Sequence, residues 1–305
     1  MTTTATVSVA MATYNGGKYL REQLDSILAQ TIQDLEIVVT DDCSTDNTWD
    51  ILQEYANKDK RFRIYRNEKN LGFKKNFEKV IGLCKGEFIA LSDQDDIWLP
   101  HHISFLLENI GDKMIACGNA ELMNSDGELM GITLDYSEAL DRLPKDEMER
   151  AMTILLFRSP YQGASMLIKR EFFDKALPVP DGANYHDAWF SALSCFYGGM
   201  NYSTEIIEHY RRHGGNVTAQ KRMRQRKFRA FVSHTLRERG LEDRKYMIEA
   251  IRERVDALTE EQTTVLQAVA DYYRRKKSFF TRIINAFFEL RNYMIIYACD
   301  NKHWI

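Results

Sequence analysis

EFIALSDQDDIW, residues 87–98, sets an apolar run, Ile89–Leu91, directly ahead of three carboxylates, Asp93, Asp95 and Asp96. The run reads as a buried strand, and carboxylates crowded at its end repel one another and are costly to bury unpaired. A divalent cation relieves that cost. Mg2+ or Mn2+ binds through one or two carboxylates and keeps its other positions for water and phosphate oxygens. The competing reading is a solvated acidic loop ahead of the helix that follows Pro100. On the DxD pattern alone the two stay open.

Working outward, VSVAMA (7–12), LEIVVT (35–40), FRIYRN (62–67) and MIACGNAEL (114–122) read as further strands. Between them, Leu20, Leu24, Ile27 and Leu28 lie on one helical face, and Phe73, Phe77, Val80 and Ile81 on another. This alternation predicts an α/β fold, a mostly parallel sheet with helices on both faces. Such sheets bind ligands beyond the carboxyl ends of their strands. Thr13–Asn15, Asp41–Asp46 and Asp93–Asp96 all fall at strand carboxyl ends and can converge on one crevice. There Asp41 or Asp42 can accept the N3–H of a uracil or thymine ring, and Asp46 or Asn47 can cap the next helix. Turn chemistry alone also favours Asn, Gly and Asp at these positions. From 123 to 160 the pattern loosens into a polar turn, NSDGE, and a charged helical stretch, PKDEMERAM; YQGASMLIKREFFDKA (161–176) reads as a strand entering a helix.

The chain has 305 residues, 44% of them hydrophobic and 28% charged, which excludes disordered and fibrous classes. Its net charge of −3 is uneven: residues 221–305 carry 19 Lys+Arg against 11 Asp+Glu, and residues 1–220 carry 22 against 33. With the periodicity turning helical beyond 220, this predicts a body over 1–220 and a basic, mainly helical region over 221–305. Five scattered cysteines, Cys43, Cys84, Cys117, Cys195 and Cys299, show no CxxC pairing and fit a reducing compartment better than a disulfide framework. The opening MTTTATVSVA lacks a secretory pattern, so a cytoplasmic location is expected.

MATYNGGKYLREQLDSILAQT, EIVVTDDCSTDNTWDIL, NEKNLGFKKNFEKVI and GEFIALSDQDDIW, in that order, resemble the successive signatures of glycosyltransferase family 2. The similarity covers about residues 5–215. It implies a GT-A (Rossmann-like) fold, a UDP- or dTDP-sugar donor and inversion at the anomeric carbon. By the same resemblance, Thr13, Tyr14, Asn15 and Asp42 hold the nucleoside. Asp93 and Asp95 form the DxD pair, with Asp95 the direct metal ligand. Cys43 stands where the family usually has glycine. An inverting transfer needs one carboxylate to take the acceptor's proton, and Asp187 in YHDAW matches the family's acidic motif; capping the following helix is its alternative role. EHYRRHGGNVT (208–218) resembles the stretch that places His213 near the diphosphate and metal, with Arg211 or Arg212 neutralising phosphate charge. GASML (163–167) would line the acceptor side, and Trp98, Trp189 and Tyr161 are candidates for stacking on sugar faces. SDQDDIW together with HDAWF resembles a rhamnosyltransferase-like branch that builds capsule or O-antigen.

The basic run KRMRQRKFRAF (221–231) and the mixed basic and apolar stretch 272–298 suggest helices lying on an anionic membrane surface, suited to a lipid-linked acceptor. A packing or homo-oligomer-forming module is the alternative, and no nucleic-acid reading motif accompanies the charge. Two other functions compete. A nucleotidyltransferase normally needs a Gly-rich basic loop after the first strand, where this chain has only Lys18. A non-catalytic glycan-binding protein would not need the full carboxylate set.

Overall fold

The computed structural model describes residues 6–134, 146–156, 159, 161–216 and 239–276. Its first half alternates strictly: β1 Val7–Thr13, α1 Leu20–Leu28, β2 Leu35–Asp41, α2 Thr48–Lys58, β3 Phe62–Arg66, α3 Phe73–Leu83 and β4 Phe88–Ser92. These four strands pair in parallel in the order β3-β2-β1-β4. Side chains of a strand point alternately to its two faces. Val7, Val9 and Met11 accordingly pack with Leu20, Leu24 and Ile27 of α1 and Ile51 and Leu52 of α2. Ala10, Val38, Ile89 and Leu91 meet Phe77, Val80 and Ile81 of α3 on the other face. Asp46 ends the loop into α2: its Oδ1 accepts the Thr48 amide at 3.0 Å, whereas Asn47, the capping position, makes no side-chain bond.

Beyond β4 the sheet becomes mixed. A two-residue strand, β5 Ile97–Trp98, precedes α4 His102–Ile110, followed by β6 Ile115–Met123 and β7 Leu129–Thr133. Helix α5, Glu147–Leu156, then leads to β8 Met166–Lys169, and α6 His186–Ser194 to β9 Met200–Arg211. The order continues β4-β8-β6-β9-β5, with β7 paired to β6. The segment read as a strand entering a helix is shorter and more broken than expected: 3-10 turns at Gly163–Ser165 and Arg170–Phe172 flank β8, and one helical turn, Phe173–Ala176, follows.

Two further helices, α7 Arg239–Arg254 and α8 Glu260–Lys276, pack into the core that α5 and α6 share. Met247, Ile248, Ile251, Leu266 and Val269 are buried there, and the Tyr273 hydroxyl donates to the Leu155 carbonyl at 2.6 Å. No helix among the described residues is long and apolar enough to cross a membrane. The expected boundary at 220, the basic run 221–231, residues 277–298 and Cys299 lie outside the described residues.

Packing at the start of β4 gives a paired test. A Cβ on Gly86 would lie 2.6 Å from the Ser8 backbone nitrogen, whereas one on Gly82 in α3 would meet nothing within 4 Å. Gly86→Ala should destabilise by about 1–3 kcal/mol through overpacking. Gly82→Ala should stabilise by roughly 0.5–1 kcal/mol. Denaturant midpoints of the two variants check both signs.

Candidate active site

Strand direction decides which residues can meet. β8 runs against β4, β6 runs against β8, and β9 runs with β6, so β6 and β9 point the same way as β4. The carboxyl ends of β1, β2, β4, β6 and β9 therefore share one edge with the amino end of β8. That edge receives Thr13–Asn15, Asp41–Asp46, Asp93–Asp96, the turn after Met123, Gly163–Ser165 and Arg211–Asn216.

On the first-strand side, Thr13 and Asp42 are buried and joined through the Asp42 amide, which donates to the Thr13 carbonyl at 2.8 Å. The Asp42 carboxylate accepts from Asn67 Nδ2 and from the amides of Leu71 and Gly72, each at 2.8 Å. An ionised carboxylate offers about four acceptor positions, so one remains for an imide N–H. Asp41 is occupied by Ser44 and, at 3.4 Å, by Arg66. Asn15, at φ 47, accepts the Thr45 amide at 2.8 Å and donates its own amide to Ser44 Oγ at 2.9 Å. Tyr14 is 47% exposed. Cys43 sits at φ 65, which explains a preference for glycine there: the left-handed region costs a side-chain-bearing residue about 1–2 kcal/mol.

In the acidic loop, Asp95 Oδ2 lies 2.6 Å from His213 Nε2. Asp93 is partly open to solvent, and its carboxyl is pushed up to about 7 by burial of the charge and by the neighbouring Asp95 and Asp187. Asp96 is fully buried. Its Oδ1 accepts the Arg211 amide at 2.9 Å, its Oδ2 has no partner among the described residues, and burial raises its carboxyl well above the usual range. The Arg211 side chain is 1% exposed: Nε donates to the Asp95 carbonyl at 2.9 Å and Nη2 to Glu22 at 2.7 Å, with the guanidinium 4.6 Å above the Tyr19 ring. Of the two arginines offered for phosphate, Arg211 is thus committed to the protein. Arg212 is half-buried, its amide donating to the Met123 carbonyl at 2.8 Å.

Asp187 is the second residue of α6; Tyr185 holds the capping position. The capping alternative for Asp187 is corrected accordingly. Its Oδ1 accepts the Ala188 amide at 2.6 Å, yet burial outweighs that bond and pushes the carboxyl up to about 6. Its neighbour His186 is buried against the Phe77 ring at 4.2 Å, and burial drives it down to about 4, so it is a neutral core histidine. The stacking candidates Trp98, Trp189 and Tyr161 are 2%, 0% and 3% exposed and belong to the core. Thr13, Tyr14, Asn15, Asp42, Asp93, Asp95, Asp187, Arg212 and His213 do lie on the one edge.

The sequence reading missed Glu208, because MNYSTEIIEHYR carries too many polar residues to look like a strand. Glu208 is fully buried and accepts the Ser165 hydroxyl at 2.6 Å; its second oxygen has no partner among the described residues. Burial, reinforced by the charge of Asp93, pushes it up to about 8. His102, stacked on Trp98 at 4.0 Å, lies 3.9 Å from that second oxygen and is driven down to about 3 by burial.

A cleft of about 350 Å3 is lined by Asn15, Lys18, Gln94, Asp95, Ser125 and His213 among others; Asp42, Asp93 and Asp187 are not among its lining residues. Among the described residues no group of three or more His, Cys, Asp or Glu side chains is placed to hold a metal ion. An open site needs none. Asp95 and His213 bring one oxygen and one nitrogen to a point, Asp93 adds uncompensated negative charge beside them, and such an O/N donor set suits Mg2+ or Mn2+ completed by water and phosphate.

The model of the family described as Glycosyl transferase family 2 matches residues 8–177. The putative glycosyltransferase EpsH of Bacillus subtilis is 30% identical over 224 residues, 70% of this chain and 63% of EpsH, so the match spans just under two thirds of that relative. Among solved structures, TarS 1–349 of S. aureus in complex with UDP-GlcNAc aligns over 88% of this chain and 91% of its own, at 18% identity and a TM-score of 0.56. The mannosyltransferase PcManGT of Pyrobaculum calidifontis, in complex with GDP-Man and Mn2+, aligns over 98% and 88%, at 16% identity and a TM-score of 0.55. These structures share the GT-A-like fold. The chain belongs to glycosyltransferase family 2.

Glu208 yields a stability test. Its carboxyl holds a proton more tightly folded than unfolded, so its contribution is full below pH 4.5 and is lost as pH rises towards 8. Glu208→Gln keeps the acceptor for Ser165 and has no charge to bury. At pH 8 without metal it should be more stable than the parent by roughly 1–3 kcal/mol, with the gap closing at pH 5. Melting curves at the two pH values decide it.

Proposed function

We propose that this member of glycosyltransferase family 2 moves a sugar from a UDP- or dTDP-linked donor to a hydroxyl of a saccharide or lipid-linked acceptor, with inversion and with Mg2+ or Mn2+ as cofactor. The observation that carries the reading is the gathering of Asp42, Asp93, Asp95 and Asp187 on one sheet edge, with His213 against Asp95. Asp42, with three donors on its carboxylate, keeps one acceptor position for the imide N–H of a pyrimidine. Asp95 and His213 would hold the cation, which supplies charge neutralisation for the departing diphosphate. Arg212, on the same edge, is the residue of the pair proposed to meet a phosphate oxygen. Asp187 takes the proton of the attacking hydroxyl. With its carboxyl near 6 it is ionised at neutral pH and still basic enough to accept a proton. Gly163 approaches the Asp187 side chain, which supports the acceptor role of GASML. TarS, solved in complex with UDP-GlcNAc, and PcManGT, solved with GDP-Man and Mn2+, support a nucleotide-sugar donor and a divalent ion.

The acceptor is a growing surface polysaccharide such as capsule or O-antigen, handled at the cytoplasmic face of the membrane with the basic region 221–305 as the peripheral contact. Two observations disfavour the alternatives. In the loop after β1 the amides of Asn15, Gly16 and Gly17 already donate to Ser44, Thr48 and Asp46, which leaves Lys18 alone to meet a triphosphate. A glycan-binding scaffold wants exposed aromatic platforms, and Trp98, Trp189 and Tyr161 are buried.

Thermal shifts across UDP-glucose, UDP-galactose, their N-acetyl forms and dTDP-rhamnose, with Mn2+ or Mg2+, identify the donor. A ligand at 100 times its Kd should stabilise the fold by about 2.7 kcal/mol, and Asp95→Asn should abolish the metal-dependent part. With that donor, Asp187→Asn should lower transfer by about 10²–10⁴-fold while UDP binding holds. The parent enzyme's kcat/KM should rise with pH through about 6 and level off above it, because the base must be ionised. Transfer at parental rates by Asp187→Asn would remove it from the role of base.

A further inference from the structure

Gln94 stands between Asp93 and Asp95 and is bonded to the opposite wall of the cleft. The Tyr14 amide donates to Gln94 Oε1 at 2.8 Å, and Gln94 Nε2 donates back to the Tyr14 carbonyl at 3.1 Å. The β1–β4 ladder ends at Met11 and Ser92, so past the strands this side-chain amide continues the pairing that the backbones have abandoned. The loop it grips is otherwise tied to the nucleoside side. The amides of Asn15, Gly16 and Gly17 donate to Ser44, Thr48 and Asp46, and Asn15 accepts from Thr45. The seat for Gln94 is also built: a Cβ on Gly16 would lie 2.2 Å from Gln94 Oε1.

We propose that Gln94 is a positioning residue that makes divalent-cation binding and nucleotide binding cooperative, by clamping the acidic loop to the Tyr14 backbone. The inference rests on the donor reading above and adds a coupling to it. Gln94 adjoins Asp95, which with His213 would hold the cation, so order gained by the acidic loop there is carried by the paired amide bonds to residues 13–16. The same bonds carry nucleotide-induced order back, as linkage requires. A carboxamide suits the position because it presents an acceptor to the Tyr14 amide and, on a separate atom, a donor to the Tyr14 carbonyl. Glutamate would face that carbonyl with a carboxylate and add a further charge to the acidic loop.

The test is UDP titration by calorimetry on the full chain, with and without saturating Mn2+, the readout being the ratio of the two Kd values. In the parent the metal should tighten UDP binding. Gln94→Met, close in size with no polar atoms, should cut that ratio by about tenfold and leave the metal-free UDP Kd within about twofold. Gly16→Ala, which displaces the Gln94 amide from its seat, should lower the ratio as well, whatever it does to the metal-free Kd, and gives an independent second variant. Melting temperatures close to the parent's separate this loss from unfolding. An unchanged ratio, or equal weakening with and without metal, would overturn the proposal. A parent that binds UDP equally with and without Mn2+ would sink the coupling and leave the donor reading standing. A parent that binds no nucleotide of the donor panel would sink both.

Discussion

Negative charge brought to one edge of a sheet, and kept there partly out of water, is the constraint around which the molecule is built. Parallel strands send their carboxyl ends the same way, and this sequence puts aspartates at the ends of two of them, β2 and β4. The reversal through β8 and β6 then returns β9 to the same edge with Glu208 on it. Asp93, Asp96, Asp187 and Glu208 all hold their protons above the usual carboxylate range, each chiefly because burial disfavours the ion. Such a cluster persists only if each member finds a proton, a hydrogen-bond donor or a cation. Asp42 solves this with three donors and Asp96 in part with one. Asp95, which lines the cleft, is met by His213, and the proposed cation would offset the charge that remains at Asp93.

The internal counter-charge is Arg211. One guanidinium, almost fully enclosed, meets the Asp95 carbonyl, the Glu22 carboxylate and the face of Tyr19, whose ring also lies 4.8 Å from that of His213. A planar, delocalised cation suits that enclosed seat better than an ammonium would. Its contacts fix the backbone of the acidic loop, not its carboxylates. The side chains of Asp93 and Asp95 therefore stay available while the chain that carries them is held.

How much of this was legible depends on range. The strands β1 to β4 and helices α1 to α3 follow from apolar period alone, because both faces of the sheet are covered and the pattern is strong. β5 is too short to show a period, β7 exposes Leu129, Met130 and Ile132 where an amphipathic strand would hide them, and β9 is polar along most of its length. Asp42, Asp93, Asp95, Asp187 and His213 stand out as candidates in the sequence because their motifs are local. Arg211 and Glu208 were misread or missed because their meaning is not local. Arg211 meets Asp96 across 115 residues, and Glu208 meets Ser165 across 43. A residue whose partner is that distant leaves no signature in its own neighbourhood.

The carboxyl-terminal helices bear on the chemistry through the same logic of support. Asp187 can work only if α6 is held at a fixed height above the sheet edge, and α6 packs by Trp189, Phe190 and Leu193 into a core that α5, α7 and α8 complete. Arg254, at the end of α7, lies 5.0 Å from the Trp189 ring. It also donates to the carbonyls of Ala176 and Pro178, on the segment that leads towards α6. From the other side, Lys74 of α3 donates to the carbonyls of Asp181 and Ala183 at 3.2 and 2.9 Å. The stretch before the candidate base is thus gripped at both ends by cations bonding to backbone carbonyls. Such bonds fix position without adding a positive charge at Asp187 itself. Burial then sets that carboxylate's basicity, and two distant helices set where it points.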